Sequence, residues 1–264
     1  MEGANKIQMK AILLAGGLGT RLREETEYRP KPMVEVGGRP ILWHIMKNLA
    51  HFGIEDFVVA AGYRGEVIRE YFLNYGARSH DFTVRLRDGS VQQHGDDHDE
   101  ANWSVTVAET GALTMTGGRV KRAAKYVDGR FLVVYGDGLA DVDMNALLRF
   151  HESHGRLATV TTIRPLSRFG VMDLAENGSV IKFREKPRTD DYVNAGFFIF
   201  EPQVIDYLDD ECVLEQATLE SLARDQQLSA YRHDGFWQPM DTYREYQMLN
   251  EMWESGNAPW KLWD

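Results

Sequence analysis

Short apolar runs alternate with segments of helical periodicity in the first part of the chain. Continuous apolar runs, typical of strands that are covered on both faces, occupy residues 10–15, 57–61 and 131–135. Apolar residues recur at helical spacing over residues 40–51, 64–75 and 144–154. The order strand, helix, strand, helix predicts an α/β fold in which a parallel sheet lies between helices on both faces.

A second series of elements follows from Leu157 onward. We predict strands over 157–163, 180–185 and 193–200, and helices over 202–208, 214–226 and 243–254. No internal repeat, hexapeptide array or low-complexity linker separates the two series. We therefore predict one domain over residues 9–264, with a first half to about 155 and a second half from about 156 that ends in a helix. Residues 1–8 are expected to be an extension outside this domain.

Composition narrows the class of protein. The 264 residues include 30 Lys and Arg against 40 Asp and Glu, a formal net charge of −10. This charge argues against a protein that coats nucleic acid or an anionic membrane. No apolar run approaches the ~20 residues that span a bilayer, and the N-terminus lacks the apolar core of a signal peptide. With one cysteine, Cys212, these features predict a cytoplasmic protein without an internal disulfide.

The turn after the first strand is rich in glycine, with the sequence Gly16-Gly17-Leu18-Gly19-Thr20-Arg21-Leu22. Glycines allow backbone amides to surround an anion that side chains would keep away. The turn is not a dinucleotide fingerprint, because Leu22 stands where the third glycine would fall, and it lacks the lysine of a Walker A loop. Arg21 and Lys31 could together offset the charge of a triphosphate. The alternative is a tight structural turn with two solvated cations.

Two carboxylates are candidates for a metal site. Asp137 follows the strand at 131–135 between two glycines, which places it at the edge where open α/β folds bind ligands. Beside phosphates, a carboxylate at that edge is a natural ligand for Mg²⁺. Asp241 could be the second carboxylate, although an Asp that precedes a helix is more often an N-cap.

Two further segments are candidates for a sugar and phosphate site. Glu185-Lys186-Pro187 ends a predicted strand, and Asn194-Ala195-Gly196 lies in the next one. We expect Lys186 to contact a phosphate, and Glu185 and Asn194 to contact hydroxyl groups. A β-turn before proline is the structural alternative.

Two polar clusters are weaker candidates. Residues 94–100 are rich in His, Asp and Glu, but they are contiguous, so we interpret them as a solvated hairpin tip. Residues 151–154 lack the histidine spacing of a zinc protease and are predicted to be an exposed helix end. No Ser or Cys nucleophile with a paired base favours a hydrolase.

Taken together, five segments resemble the sugar-1-phosphate nucleotidylyltransferases: residues 15–22, 30–33, 136–138, 185–187 and 194–196. Further matches resemble the branch that makes CDP-glucose from CTP and glucose 1-phosphate, and they lie at 23–26, 41–46, 115–119, 235–242 and 258–261. The resemblance implies a three-layer α/β/α sandwich around a mixed, largely parallel, Rossmann-like sheet. It also suggests a homo-oligomer such as a hexamer.

The resemblance assigns site residues in both halves. It implies that the first half binds the nucleotide through Leu14, Ala15, Gly16, Gly17, Gly19, Thr20, Arg21, Lys31, Thr116, Gly117 and Arg119. Sugar phosphate is expected at Gly170, Glu185, Lys186 and Asn194, and the cofactor Mg²⁺ at Asp137 and Asp241. Arg21, Lys31 and Asp137 are the expected catalytic residues. A phosphate oxygen of the sugar would attack the α-phosphorus of CTP in line, and no general base is required because this oxygen is already anionic.

Three alternatives stay open at this point. The same reaction could use another nucleotide, such as dTTP or UTP, or another sugar 1-phosphate. A nucleotide-sugar sensor could also be built on the same fold. The presence of Arg21, Lys31 and Asp137 argues against the sensor.

Overall fold

The computed structural model of the chain describes residues 7–95, 99–167 and 169–263. Within them, the largest sheet runs from edge to edge through seven strands: β14 (Leu228–Arg232), β10 (Ala158–Ile163), β13 (Val193–Phe200), β8 (Phe131–Tyr135), β1 (Lys10–Ala15), β4 (Asp56–Ala61) and β7 (Ser104–Glu109). Strand β13 is antiparallel to its neighbours β8 and β10, and the other neighbouring strands are parallel. The central sheet is therefore mixed and largely parallel, as the resemblance implies.

Smaller strand pairs flank this sheet. They are β2 (Glu35–Val36) with β3 (Arg39–Pro40), β5 (Asp81–Arg85) with β6 (Ser90–His94), β9 (Gly138–Ala140) with β15 (Trp237–Pro239), and β11 (Val171–Leu174) with β12 (Val180–Arg184). The pair β9–β15 matters for the site because it joins distant parts of the chain. Pro239 lies opposite Gly138, and the Met240 amide donates to the Asp137 carbonyl at 2.8 Å.

Helices cover both faces of the sheet. They are α1 (Arg23–Thr26), α2 (Ile41–His51), α3 (Gly65–Leu73), α4 (Tyr75–Ser79), α5 (Thr116–Ala123), α6 (Met144–His154), α7 (Leu219–Arg224) and α8 (Tyr243–Glu254). Short 3₁₀ turns occupy Thr20–Leu22, Lys31–Met33, Ala124–Tyr126 and Pro202–Tyr207, and a π-helical turn occupies Leu214–Thr218. The resulting three-layer arrangement confirms the expected α/β/α sandwich.

Successive side chains of the central strands point to opposite faces of the sheet, so the core has two parts, one on each face. On β1, Leu13 joins one cluster, which also contains Leu42 and Ile45 of α2. Its neighbour Ile12 faces the opposite side and joins Val120 of α5 in the second cluster. Each fully buried aliphatic side chain of this kind contributes roughly 1.5–3 kcal/mol. Because both faces are covered, the strands read as continuous apolar runs in the sequence.

The predicted elements are mostly confirmed, with differences in the second half. The strands at 10–15, 131–135 and 193–200 and the helices at 144–154 and 243–254 have the predicted bounds. The segment predicted as a helix over 202–208 is a 3₁₀ turn, and the one over 214–226 is divided into a π-helical turn and α7. The sequence pattern did not predict β7, α5 or β14.

The start of the folded unit also differs from the prediction. Ile7 is only 6% exposed, belongs to the core around Leu13, and donates its amide to the Phe52 carbonyl. The folded unit therefore includes Ile7 rather than beginning at Met9, and residues 1–6 lie outside the described residues. Over the described ranges, no helix combines the length and the apolar character that crossing a membrane requires.

Candidate active site

A cavity of about 390 Å³ lies at the carboxyl edge of β1 and β8. This is the edge where open α/β sheets bind ligands. Ten of the residues predicted from the sequence line it: Leu14, Gly16, Gly17, Gly19, Thr20, Arg21, Lys31, Thr116, Arg119 and Asp137. The remaining lining residues were not predicted, and they are Pro32, Thr114, Met115, Tyr135 and Gly136. Most of the expected nucleotide-binding residues are thus brought to one cavity.

The glycine-rich turn is held in shape by Arg119. This side chain is 4% exposed. It donates to the carbonyl oxygens of Gly16 at 2.8 Å and Gly111 at 2.7 Å, and to Thr110 Oγ1 at 2.7 Å. A Cβ at Gly16 would lie 2.0 Å from the guanidinium, so only glycine fits beside it. Arg119 lines the cavity, but its terminal nitrogens are used to brace the turn.

Lys31 lies between the two predicted carboxylates. Its ammonium donates to Asp137 Oδ2 at 2.7 Å and to Asp241 Oδ1 at 2.5 Å, and the side chain is 9% exposed. Burial alone would lower the pKa of Lys31, but the two carboxylates outweigh it and raise that pKa above its ordinary value. Asp137 and Asp241 therefore converge on the Lys31 ammonium, and their role as metal ligands stays a prediction.

Asp241 is free to face the site because another residue caps α8. Thr242 is the N-cap, and the Glu245 carboxylate accepts from the amide of Thr242 at 2.8 Å in a capping box. The structural alternative for Asp241, an N-cap, is therefore wrong. The second oxygen of Asp241 accepts from Arg21 Nη1 at 2.7 Å, and the Arg21 side chain is 73% exposed.

The donor set fits a divalent cation of the magnesium type. Two carboxylates face one point beside the cavity, and Mg²⁺ typically takes one or two carboxylates and fills its shell with phosphate oxygens and water. Among the residues that the structure describes, no group of three or more His, Cys, Asp or Glu could form a complete protein cage. The hard oxygen donors at 137 and 241 suit such an ion.

The predicted sugar-phosphate residues are more dispersed. Asn194 adjoins the cavity-lining Tyr135, since its Nδ2 donates to Tyr135 Oη at 3.3 Å. Glu185 and Lys186 are exposed, with their charged groups 3.8 Å apart. Gly170 packs against Phe183 and Glu185, because a Cβ there would lie 2.6 Å from the Phe183 ring. Of these predicted residues, none lines the described cavity directly.

Lys186 and Gly196 both have a positive φ. Lys186 has a φ of +43°, a left-handed conformation that favours glycine. Such strain costs about 1–3 kcal/mol and is concentrated at functional sites. Gly196 has a φ of +82°, and a Cβ there would lie 2.9 Å from the Tyr135 ring. Glycine at 196 thus permits the contact between β13 and Tyr135.

Two other predicted residues lie beside the cavity without lining it. Ala15 is fully buried at the end of β1. Gly117 donates its amide to the Cys212 carbonyl at 3.0 Å, and a Cβ would lie 2.3 Å from Cys212 Sγ. Neither residue is among those that line the described cavity, so their contacts with nucleotide stay a prediction.

The weaker clusters have structural roles that differ from the predictions. His151 is 1% exposed and bonds Thr159 Oγ1 at 2.7 Å, so the expected exposed helix end is wrong at this residue. Glu100 is 8% exposed and pairs with Lys47 at 2.9 Å, so the acidic segment is not entirely a solvated tip. Residues 96–98 of that segment lie outside the described residues.

Sequence reasoning missed Tyr135, which lines the cavity, and Glu215, which lies behind it. Tyr135, the last residue of β8, donates its hydroxyl to Glu215 Oε1. Thr116 Oγ1 donates to Glu215 Oε2 at 2.9 Å. Tyr135 stands directly before the Gly136-Asp137-Gly138 motif, which was a signal that could have found it. Glu215 has no such motif beside it.

Comparison with known proteins agrees with this site. The family model described as nucleotidyl transferase matches residues 10–251. The chain is 49% identical over 261 residues to the glucose-1-phosphate cytidylyltransferases of Salmonella typhi and Salmonella typhimurium, covering 97% of this chain and 100% of each relative. Among solved structures, HddC from Yersinia pseudotuberculosis has a TM-score of 0.67 at 22% identity, covering 93% of this chain and 100% of that one. These findings confirm the resemblance carried by the five sequence segments, and the solved structure confirms the fold.

Proposed function

The chain belongs to the nucleotidyl transferase family, and we propose that it transfers the cytidylyl group of CTP to α-D-glucose 1-phosphate. The products would be CDP-glucose and pyrophosphate. The observation that carries this proposal is the 49% identity, over 97% of the chain, to glucose-1-phosphate cytidylyltransferases. The cavity at the carboxyl edge of β1 and β8 supports it, because its lining combines glycines, cations and a carboxylate.

The glycine-rich turn would hold the nucleotide. Backbone amides between Gly16 and Leu22 can approach phosphate oxygens closely, because glycines remove the side chains that would interfere. Leu14 and Ala15 at the end of β1 would meet the base and ribose, as would Thr116 and Gly117 at the start of α5. Arg119 supports this contact indirectly, since it braces the Gly16 carbonyl.

The negative charge of the phosphates would be stabilised by Arg21, by Lys31 and by a metal ion on the two carboxylates. We propose that Arg21, which is largely exposed beside Asp241, turns toward the phosphates when the nucleotide enters. Lys31 would contribute a buried positive charge next to the α-phosphate. Mg²⁺ held by Asp137 and Asp241 would supply further positive charge where the transition state is most anionic.

The chemical step needs no general base. A sugar-phosphate oxygen forms a bond to the α-phosphorus, and the bond from that phosphorus to the β-phosphate oxygen breaks. The electron pair leaves with pyrophosphate. Because the second pKa of a phosphate monoester is near 6, the nucleophile is already anionic at neutral pH. The protein's task is then to hold two polyanions in line.

The second half of the chain would hold the sugar phosphate. Lys186 is proposed to bind its phosphate, and Glu185 and Asn194 its hydroxyl groups. The left-handed backbone at Lys186 is compatible with a functional position, since such conformations are concentrated at functional sites. Gly170 is proposed to face the sugar phosphate through its backbone, because Phe183 and Glu185 pack closely against it.

We also propose that the enzyme acts in the cytoplasm as a homo-oligomer, for example a hexamer. Apolar side chains on β11 and β12 are exposed, among them Met172, Ile181 and Phe183, and such patches often mark protein contacts. Cys212 is buried and unpaired, which suits a reducing compartment. Light scattering of the purified protein tests the oligomer, and a monomeric mass would contradict it.

The test of the proposed reaction is a matrix of substrates. CTP, UTP, dTTP and GTP are each combined with a panel of sugar 1-phosphates, and pyrophosphate release and the mass of the nucleotide sugar are measured. We expect the highest kcat/KM for CTP with glucose 1-phosphate. A higher value for another pair would replace that substrate assignment, and binding without turnover of any pair would favour a sensor.

A further inference from the structure

Behind the cavity, one carboxylate accepts hydrogen bonds from two hydroxyl groups that belong to different elements. Glu215 lies in the π-helical turn Leu214–Thr218. Its Oε2 accepts from Thr116 Oγ1 at 2.9 Å, and its Oε1 accepts from Tyr135 Oη. Thr116 begins α5 and Tyr135 ends β8. Both line the cavity, whereas Glu215 does not.

The hydrogen bonds continue beyond the carboxylate in both directions. Tyr135 Oη accepts from Asn194 Nδ2 at 3.3 Å, and Asn194 Oδ1 accepts from the Gly196 amide at 2.8 Å. On the other side, Thr116 Oγ1 accepts from the Leu214 amide at 2.9 Å. The network therefore connects a residue of the nucleotide cavity to one of the proposed sugar-phosphate site.

Both hydroxyl groups of this network donate to Glu215. An ionised carboxylate accepts and does not donate, so both hydroxyl groups must point their hydrogens at Glu215. That orientation leaves the Tyr135 oxygen lone pairs available to the Asn194 amide. Burial and the neighbouring Glu215 carboxylate both raise the pKa of Tyr135, so its phenol keeps the proton that it donates.

We propose that Glu215 is a positioning residue that fixes Thr116 and Tyr135 and, through them, the spacing between the nucleotide and sugar-phosphate parts of the site. This inference rests on the proposed function. Glu215 acts through other side chains and is not proposed to touch the reacting atoms. Bonds to a charged acceptor are stronger than neutral ones, which suits a group that holds two elements together.

The geometry of in-line attack makes such positioning important. Reacting atoms must lie about 3–3.5 Å apart with the correct alignment. A shift of Thr116 would displace the nucleotide, and a shift of Tyr135 would displace Asn194 and the sugar. Because Glu215 holds both, its loss should weaken the binding of both substrates and slow the step between them.

The first variant is Glu215→Gln, which keeps the shape but replaces one acceptor oxygen with a donating NH₂ group. We expect KM to rise for both substrates and kcat/KM to fall about tenfold to a hundredfold. The matched control is Gln216→Ala, an exposed neighbour in the same turn, and its constants should stay within twofold of the wild type. Wild-type constants in Glu215→Gln would overturn the proposal.

Two further variants separate positioning from folding. Thr116→Val should raise mainly the KM for the nucleotide, and Tyr135→Phe mainly the KM for the sugar phosphate. Combined with Glu215→Gln, each should cost less than the sum of the single changes, because the bond is already broken. Simple additivity would contradict the network. If Glu215→Gln fails to fold, equal effects on both KM values in each of the single variants Thr116→Val and Tyr135→Phe would still contradict it.

The test does not depend on which substrates the enzyme prefers. If another nucleotide or sugar replaces CTP or glucose 1-phosphate, the proposed function fails in that respect, and the same variants are compared with the preferred pair. If no pair is turned over, dissociation constants of CTP and glucose 1-phosphate measured by calorimetry replace KM. Loss of affinity for both ligands in Glu215→Gln supports the network, and unchanged affinities overturn it.

Discussion

Two lysines, each next to a proline, show how differently the two halves of the site are built. Lys31 is 9% exposed and lies between Asp137 and Asp241. Lys186 is 52% exposed and lies 3.8 Å from a single carboxylate, Glu185. The first is fixed by charge and packing before any substrate arrives. The second is held by a strained backbone but has a freely solvated side chain.

This difference suggests a division of labour. Charge stabilisation during phosphoryl transfer is most effective when the groups are oriented in advance and shielded from water, which describes the side of Lys31. Recognition of the sugar phosphate can tolerate groups that become ordered on binding, which describes the side of Lys186. Changes at the packed side should therefore affect turnover, and changes at the exposed side should affect binding of one substrate.

The largest effect is expected for Asp137→Asn. Loss of one carboxylate would weaken the proposed metal site and would leave Lys31 with one carboxylate partner, so kcat should fall about a thousandfold or more. Circular dichroism should show an intact fold, because Asp137 is 32% exposed at the cavity edge. Asp143→Asn is the matched control, since Asn can also cap α6, where the Asp143 side chain accepts from Ala146 N. Near-normal turnover by Asp137→Asn would refute its place in the metal site.

A second prediction concerns Asp137 and Asp241 when the Lys31 ammonium between them is removed. Lys31→Met should lower kcat about a hundredfold. It should also tighten the binding of Mn²⁺ to the nucleotide-free protein by about tenfold, because two carboxylates would then face each other without a counter-charge. Electron paramagnetic resonance of free Mn²⁺ measures this directly. Lys31→Arg, which keeps the charge, should bind Mn²⁺ as weakly as the wild type; equal Mn²⁺ affinity in all three proteins would contradict the arrangement.

The same contrast explains how much of the site the sequence predicted. The glycine-rich turn and Asp137 follow buried parallel strands, and such strands are recognisable as continuous apolar runs. Their position at one sheet edge then follows from topology. The position of Asp241 was harder to predict from the sequence, because only the β9–β15 pairing brings this residue close to Asp137.

Other contacts could not be predicted from local patterns. Glu215 meets Thr116 and Tyr135, which lie 99 and 80 positions away along the chain. Helix α5 begins Thr116-Gly117-Gly118 and has little intrinsic helix propensity. Its start is held by tertiary contacts, including bonds from the amides of Gly117 and Gly118 to the Cys212 carbonyl. The hydrogen bonds of Glu215 and the start of α5 depend on packing between distant segments, and the periodicity of the sequence carries no signal of such packing.

The fold in the half of the chain that contains Lys31 should lose stability at acidic pH, because it buries a neutral histidine. His44 on α2 is fully buried, donates from Nε2 to the Val36 carbonyl at 2.8 Å, and accepts from Trp260 Nε1 at 3.4 Å. Burial lowers the pKa of His44 to about 4. Between that value and the unfolded value near 6.5, the unfolded chain binds the proton and the folded chain does not. The stability present above pH 6.5 is therefore lost as the pH falls toward 4.

Urea unfolding at pH 7, 6 and 5 measures this loss. In the wild type the free energy of unfolding should fall by about 2 kcal/mol between pH 7 and pH 5 through His44. His44→Gln should flatten this dependence. His51→Gln, at the exposed end of the same helix, should retain it; if His51→Gln flattens the curve instead, the effect belongs to the surface.

The smallest effect is expected on the exposed side, for Lys186→Ala. Removing one solvated charge should raise the KM for the sugar phosphate about tenfold, with kcat and the KM for the nucleotide nearly unchanged. Lys182→Ala on β12, an exposed lysine four residues before Lys186, should change neither KM. If Lys186→Ala lowered kcat as strongly as Lys31→Met, Lys186 would act in phosphoryl transfer. The division between a preorganised and a substrate-ordered half would then be wrong.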